Sequence, residues 1–501
     1  MAKFSQDISD SHSKSGPIVD GRHLRFAGRA IAVPFRIQLR SDGQLIELKC
    51  TKVLRILPRK RLVCFCEWNG HQAVAKLFLA SGKAAKRHFA REKRGLNACE
   101  SAGIGALVLA FQRIIPSLDF EEKLGQAESD EQSIELLSKV ADVIACQHEA
   151  GLKHNDLHPG NFLFSGKDIY TIDGDDIDVR KMGSPLAKGE SLTNLALFFA
   201  QFYPKFDQLV PEVFQVYSEK RSWPISSDLQ ARLMKEVQRR RSYRKKKYLN
   251  KVYRECSAFV CRKTWSGFMI KTWSGFMICD RDYHTEAMNH FLDDPDPVID
   301  GGSLLKDGNT STVALVEVDR RLLVVKRYNI NNFWYGLKRC LRPSRAWTSW
   351  RNAHRLMLLG IATPKPIMLA EKRWGVVRST AYFITEYVEG VDVYHLLHSD
   401  SEKKMSQEGL IKLVEKLFQQ LTDASISHGD FKATNLIPSG GELFIIDLDA
   451  MREHRFRWRF IKAFKRDCER FMKNWKDLPE VEKLFYKIIE ELEERAHMTA
   501  P

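Results

Sequence analysis

Apolar and polar positions alternate with a period of two over residues 52–57 and 62–68, with a turn at 58–61 between them. Asn69-Gly70 is the strongest short hairpin signal, and a third strand is expected over 71–78. The period then lengthens to that of a helix. Residues 84–102 form one helical run ending at Gly103, a residue suited to the left-handed position after a helix. Further helices are expected over 131–150, ending at Gly151, and over 191–202. The same order returns in the second half. Residues 302–306 and 312–318 read as paired strands around Asp307-Gly308-Asn309, followed by a strand over 321–328. A helix over 345–359 stops at Gly360, a strand follows at 382–388, and a helix at 407–424. Strands first and helices after, twice over, predict an α+β fold of two tandem bilobal units.

Each half also carries the same chemistry at the same place. The first reads His154-Asn155-Asp156-Leu157-His158-Pro159-Gly160-Asn161, then an apolar run ending at Asp173. The second reads His428-Gly429-Asp430-Phe431-Lys432-Ala433-Thr434-Asn435, then an apolar run ending at Asp447. In both, an Asp precedes an Asn by five positions, and a second Asp follows the first by 17. Two copies with equal offsets are hard to ascribe to chance. Phosphoryl transfer uses such a set: one carboxylate to orient the attacking hydroxyl, and an Asn and an Asp as oxygen ligands to Mg²⁺.

On that reading Asp430 orients or accepts the hydroxyl proton, Asn435 and Asp447 hold Mg²⁺, and Lys432 neutralises the γ-phosphate of ATP. Lys326, ending an apolar strand, fits the lysine that pairs with the α- and β-phosphates. Gly308 and Asn309 lie in a turn positioned to cover them, although one glycine also suits an ordinary hairpin. Glu386 lies in the strand expected to form the hinge. In the first half Asp156, Asn161, Asp173 and Lys76 fill the corresponding roles, with Glu92 on the next helix as a partner for Lys76. His154 and His428 read as braces of their loops rather than as acid–base groups.

Charge narrows the partners. The 501 residues carry a net charge of +16, concentrated at 239–251 and 452–473. This points to an anionic surface or a large anionic acceptor, and no nucleic-acid reader motif accompanies it. Ten scattered cysteines offer no zinc spacing and suggest reduced thiols. No apolar leader or membrane-length run is present, and the Ser/Lys/Asp-rich first 16 residues read as mobile. Residues 263–270 are repeated letter for letter by 271–278 (KTWSGFMI), which reads as a tandem insertion in a loop or edge strand, with a membrane-surface anchor as the alternative.

The catalytic loops, together with 54–58, 344–367 and 445–452, resemble the lipopolysaccharide core kinase (Kdo/heptose kinase) family of the protein-kinase-like fold over most of residues 50–220 and 300–478. The resemblance implies two tandem kinase-like domains and transfer of phosphate from ATP, with Mg²⁺, to a sugar hydroxyl of the lipopolysaccharide inner core. It also implies a cytoplasmic protein at the inner-membrane face. The expected division is a disordered terminus at 1–20, a first kinase-like domain at 21–235, a basic linker at 236–298 and a second kinase-like domain at 299–501. Departures are visible in both halves. The 58–61 turn has no glycine, a strand is missing after Gly103, and counting back from Gly360 puts Ser349 where the helix glutamate belongs. These departures favour the second half as the active kinase. Two other classes fit the motifs: a tandem pseudokinase scaffold, and a small-molecule kinase of the aminoglycoside or choline type. The sequence leaves the acceptor sugar and the oligomeric state open.

Overall fold

A computed structural model describes residues 16–29, 31–41, 44–68, 70–80, 83–105, 118–165, 167–264, 275–308, 310–329, 343–374, 377–399 and 406–498. The first 15 residues, Asn69, Asn309 and most of the first copy of the octapeptide lie outside them. The chain forms two compact α+β units, Met1–Ser242 and Tyr243–Pro501.

The first unit opens with a five-stranded sheet: β1 (Ile18–Val19), β2 (Phe35–Ser41), β3 (Gln44–Leu57), β4 (Arg61–Trp68) and β5 (His71–Phe78), paired in chain order. Alternation on β4 buries Leu62, Cys64 and Cys66 against Phe35, Leu48 and Cys50, as the period-two pattern requires. Helix α1 (Lys83–Ser101) follows, and among the described residues no strand after it joins this sheet. Helix α2 (Asp130–Glu149) is capped by the Ser129 side chain and begins with Asp130 and Glu131, which complement its dipole. With α3 (Lys188–Phe199) it encloses a core that includes Val140, Ile144, Phe162, Phe198 and Tyr217.

Helix α4 (Ser227–Lys251) contains the run expected to be a linker and crosses the boundary between the units. At least half of the eight cations at 239–251 are ion-paired: Arg239 and Arg240 with Glu236, Arg241 with Asp207, and Lys245 with Glu453. The run is therefore a helix in which part of the charge is neutralised by neighbouring acids.

The second unit is built on a seven-stranded sheet of β6 (Phe259–Thr264), β7 (Gly275–Asp280), β8 (Ser303–Gly308), β9 (Ser311–Val318), β10 (Arg321–Tyr328), β11 (Pro366–Trp374) and β12 (Val377–Glu386). Their spatial order is β6-β7-β11-β12-β10-β9-β8. The two strands after helix α5 (Arg345–Leu359) thus enter the middle of the sheet. Part of the span expected as linker is structural here. The second octapeptide copy supplies β7, paired on both sides, with Phe276, Met277 and Ile278 buried. An apolar run of that length is stabilised by two flanking strands, which is why it is not an edge. Helices α6 (Gln407–Asp423), α7 (Arg457–Met472) and α8 (Pro479–Met498) form the helical part around Phe418, Phe431, Phe471 and Trp475.

Candidate active site

In the second unit the strand Ile426–Ser427 leads into His428-Gly429-Asp430, then a helical turn at Ala433–Asn435 and the hairpin Leu436–Ser439/Glu442–Ile445. The hairpin returns the chain to the loop. The Ile446 N–H donates to the Asn435 carbonyl at 3.0 Å, and the Asn435 side-chain amide donates to the Asp430 carbonyl at 2.9 Å. His428 is buried, with its Nε2–H donating to the Ile446 carbonyl at 2.9 Å and its Nδ1 accepting the Asp430 N–H at 3.3 Å. Both ring nitrogens are committed to backbone, so this histidine braces the loop.

The first unit repeats the arrangement. Asn161 donates to the Asp156 carbonyl at 2.8 Å, Ile172 N–H to Asn161 at 3.0 Å, and His154 spans Ile172 and Asp156. Burial lowers the pKa of His154 and keeps it neutral. Asp173 and Asp447 both adopt left-handed backbone, with φ of 66° and 60°. Such a conformation is costly for a non-glycine residue and collects at functional positions.

The lysines reach these aspartates. Lys76 on β5 pairs with Glu92 of α1 at 2.5 Å and with Asp173 at 2.8 Å, and Arg61 stands 3.6 Å from Asp173. Close backbone approach makes this possible: a Cβ on Gly95 of α1 would lie 2.2 Å from the Gly174 carbonyl. In the second unit Leu448 takes the place of Gly174, and among the described residues no helix glutamate meets Lys326. Ser349, where one was expected, is buried and bonds the Tyr328 hydroxyl at 3.0 Å. Lys326 instead pairs with Asp447, and Asp449 stands 3.6 Å away. Arg345, at the start of α5, holds Asp449 with nitrogens at 2.6 and 2.9 Å.

Burial opposes ionisation of Asp447, but Lys326 outweighs it and the carboxyl sits below its usual range; Asp173 behaves alike beside Lys76 and Arg61. Glu92 is pushed upward because burial exceeds the pull of Lys76.

Asp430 is ion-paired with Lys432 at 3.1 Å and with Arg470 of α7 at 2.7 Å. Three residues earlier on α7, Asp467 accepts the backbone N–H groups of His428 and Gly429 at 2.6 and 2.9 Å. Burial raises its pKa against those bonds. Glu386, at the end of β12, accepts the Tyr283 hydroxyl, and Gly308 closes the β8–β9 hairpin opposite Ser311. Asp449, Arg345, Asp467 and Arg470 were not singled out from sequence. A signal existed for Asp449, because an Asp also stands two positions past Asp173, at Asp175, where it binds His88 and Arg91 of α1. Asp467 and Arg470 lie too far along the chain for any short spacing to expose them.

Asn435 and Asp447 offer an amide and a carboxylate oxygen, the hard donors Mg²⁺ prefers, and such a site takes its remaining ligands from phosphate and water. Among the described residues no three His, Cys, Asp or Glu side chains form a metal cage.

A sheet lysine, an Asp-x₄-Asn loop and a left-handed Asp gathered in this way are the groups that phosphoryl transfer in kinases uses. Residues 302–484, wholly within the second unit, match the family described as "Lipopolysaccharide kinase (Kdo/WaaP) family", and the match makes the protein a phosphotransferase. A solved structure described as WaaP in complex with acyl carrier protein is similar over 42% of this chain and 96% of its own, at 18% identity. Its TM-score of 0.28 is too low to assign a fold. No curated protein matches the chain. Among the described residues no helix is long and apolar enough to cross a membrane.

Proposed function

We propose that the second unit transfers the γ-phosphoryl group of ATP to a sugar hydroxyl, heptose or Kdo, of the lipopolysaccharide inner core. The observation that carries this reading is the convergence of Lys326, Asp430, Asn435 and Asp447 within a segment matching the lipopolysaccharide kinase family. Asp430 receives or orients the acceptor proton as the hydroxyl oxygen attacks the γ-phosphorus. Lys326 neutralises the α- and β-phosphates, and Lys432 counters charge developing on the transferred group. Asn435 and Asp447 are the groups that would hold Mg²⁺, which supplies charge neutralisation between the phosphates.

The first unit reads as a second kinase-like module in tandem, with Asp156, Asn161, Asp173, Lys76 and Glu92 in the same roles. One observation favours an accessory part for it. Asp156 is exposed and, among the described residues, lacks the cation pair that flanks Asp430. The chain works at the cytoplasmic face of the membrane that carries its lipid-linked acceptor. The deciding experiment incubates purified protein with γ-labelled ATP, Mg²⁺ and inner-core oligosaccharide, and locates the label by mass spectrometry. Label on a core sugar that depends on Asp430 supports the reading. Absence of label on any core sugar refutes it.

A further inference from the structure

Helix α7 carries exposed cations at Arg459, Lys462, Arg466, Arg470 and Lys473. Spacings of three, four, four and three residues place them within an arc of about 80° on one face. Phe460, Phe464, Asp467 and Phe471 occupy the opposite, buried face. The row runs for roughly 20 Å at 1.5 Å per residue. Like charges at these spacings destabilise a helix. Glu469 flanks the row and Arg459 lies over the Phe456 and Trp458 rings at 5.3 and 5.0 Å, but among the described residues Arg459, Lys462, Arg466 and Lys473 form no ion pair. This contrasts with α4, where acids of the same unit take up four of the cations.

The row ends at the chemistry. Arg470 donates to the Asp430 carboxylate and to the Gly429 carbonyl, both at 2.7 Å, and Lys432 approaches the same carboxylate at 3.1 Å. Among the described residues of the first unit no Lys or Arg pairs with Asp156 in this way. The residue two past Asp156 is His158. On α3, Asn194 bonds the His154 carbonyl much as Asp467 bonds the His428 loop, and the residue three further on is Leu197.

We propose that this face of α7 is the acceptor-binding surface of the second unit and takes a polyanionic glycan, one bearing several phosphate or carboxylate groups. Arg470 and Lys432 meet the anionic group of the sugar to be phosphorylated, and Arg459, Lys462 and Arg466 hold the anions of its neighbours. Arg470 moves from Asp430 to the acceptor's anion when the glycan arrives, which frees the carboxylate for the hydroxyl. This rests on the proposed kinase reading and adds the substrate's charge and its path to the site.

The test is the triple substitution R459Q/K462Q/R466Q, none of which touches the reacting groups. The probe is deacylated inner-core oligosaccharide, water-soluble and free of lipid, whose binding is titrated by calorimetry beside turnover with MgATP. The expected result is an oligosaccharide Kd and KM raised at least tenfold in low salt. kcat, the KM for MgATP and the melting temperature should be unchanged, and the salt dependence shallower because fewer counterions are displaced. Chemically dephosphorylated and carboxyl-reduced oligosaccharides tell which anion is read: the probe whose affinity no longer responds to the triple substitution has lost it. Unchanged Kd and salt dependence in the variant overturn the proposal. So does a variant that binds oligosaccharide normally but loses binding to phosphatidylglycerol vesicles, since the row would then face the membrane. If wild-type protein transfers no phosphate yet binds oligosaccharide through these cations, the kinase reading falls and the binding surface stands.

Discussion

Lys326 and Asp449 stand 3.6 Å apart, and this contact occupies the place that the Lys76–Glu92 pair holds in the first unit. The sign on the helix is reversed. In the first unit α1 provides a carboxylate to the lysine; in the second, α5 provides Arg345, which grips a carboxylate delivered by the loop after Asp447. Either route fixes the lysine ammonium, which on the proposed reading meets the nucleotide phosphates. Asp449→Asn should therefore lower kcat/KM for MgATP by about 10–100-fold, the usual range for a group that orients a direct ligand. Asp449→Glu should recover most of it. The measurement is KM for MgATP against kcat, with melting temperature as the control. A drop in melting temperature with unaltered kinetics would make Asp449 a packing residue only.

The two loop aspartates should differ. Asp430→Ala is expected to reduce phosphate transfer by about 10²–10⁴-fold, the range for loss of a general base, with the protein still folded. Asp156→Ala should leave turnover and acceptor affinity within about twofold, because among the described residues no cation pair flanks it to present an anionic acceptor. Labelled-phosphate assays on both variants decide this. Full activity in the Asp430 variant, or a comparable loss in the Asp156 variant, would reverse the assignment of roles to the units.

What the sequence disclosed follows contact distance along the chain. The β10 strand and the α5 helix were readable to the residue because a period and a stop signal, Gly360 with φ of 70°, lie within a few positions. The Asp430–Asn435 bond was readable because five residues separate its ends. Glu92 could be placed because it lies only 16 residues past Lys76, on the first helix after the lysine's strand. The substitute for it in the second unit was not legible. Asp449 reaches Lys326 across a sheet and a hairpin, and Arg345 is 104 residues from it. The β6–β7 hairpin was obscured by the repeat, which disguises an apolar buried strand as an insertion.

Two buried histidines make stability depend on pH. Burial pushes His354 of the second unit down to about 3 and His148 of the first to about 4. Both folded-state values lie below the ordinary one, so the unfolded chain binds more protons as pH falls below about 6.5, and folding is progressively disfavoured. Each histidine should remove about 1.4 kcal/mol of stability per pH unit between about 6.5 and 5. The window closes near pH 5 because carboxylates begin to titrate below it. Asp447, with its lowered pKa, remains ionised throughout, so the pair with Lys326 does not contribute there. Urea denaturation at pH 7.5, 6.5, 5.5 and 5.0 should show this slope for the second unit, and His354→Gln should flatten it. An equal slope in the variant would assign the acid sensitivity elsewhere.

The octapeptide repeat predicts its own dispensability. In the β6–β7 ladder Lys263 faces Phe276 and Thr264 faces Gly275. Residues 265–274 join them, and removing one eight-residue copy leaves Trp-Ser between the same Thr and Gly. Side chains on a strand alternate with a period of two, so any change of register by one would turn Phe276 and Ile278 to the wrong face. Deleting one copy changes the register by none. A chain lacking 263–270 should keep the β7–β11 pairing, melt within a few degrees of the full-length protein, and retain its phosphotransfer kinetics. Shortening a ten-residue connection to two alters loop-closure entropy by only about 1.4 kcal/mol. Loss of soluble folded protein on deletion would mean that the first copy's Trp-Ser-Gly-Phe-Met-Ile stretch contributes to the second unit in its own right.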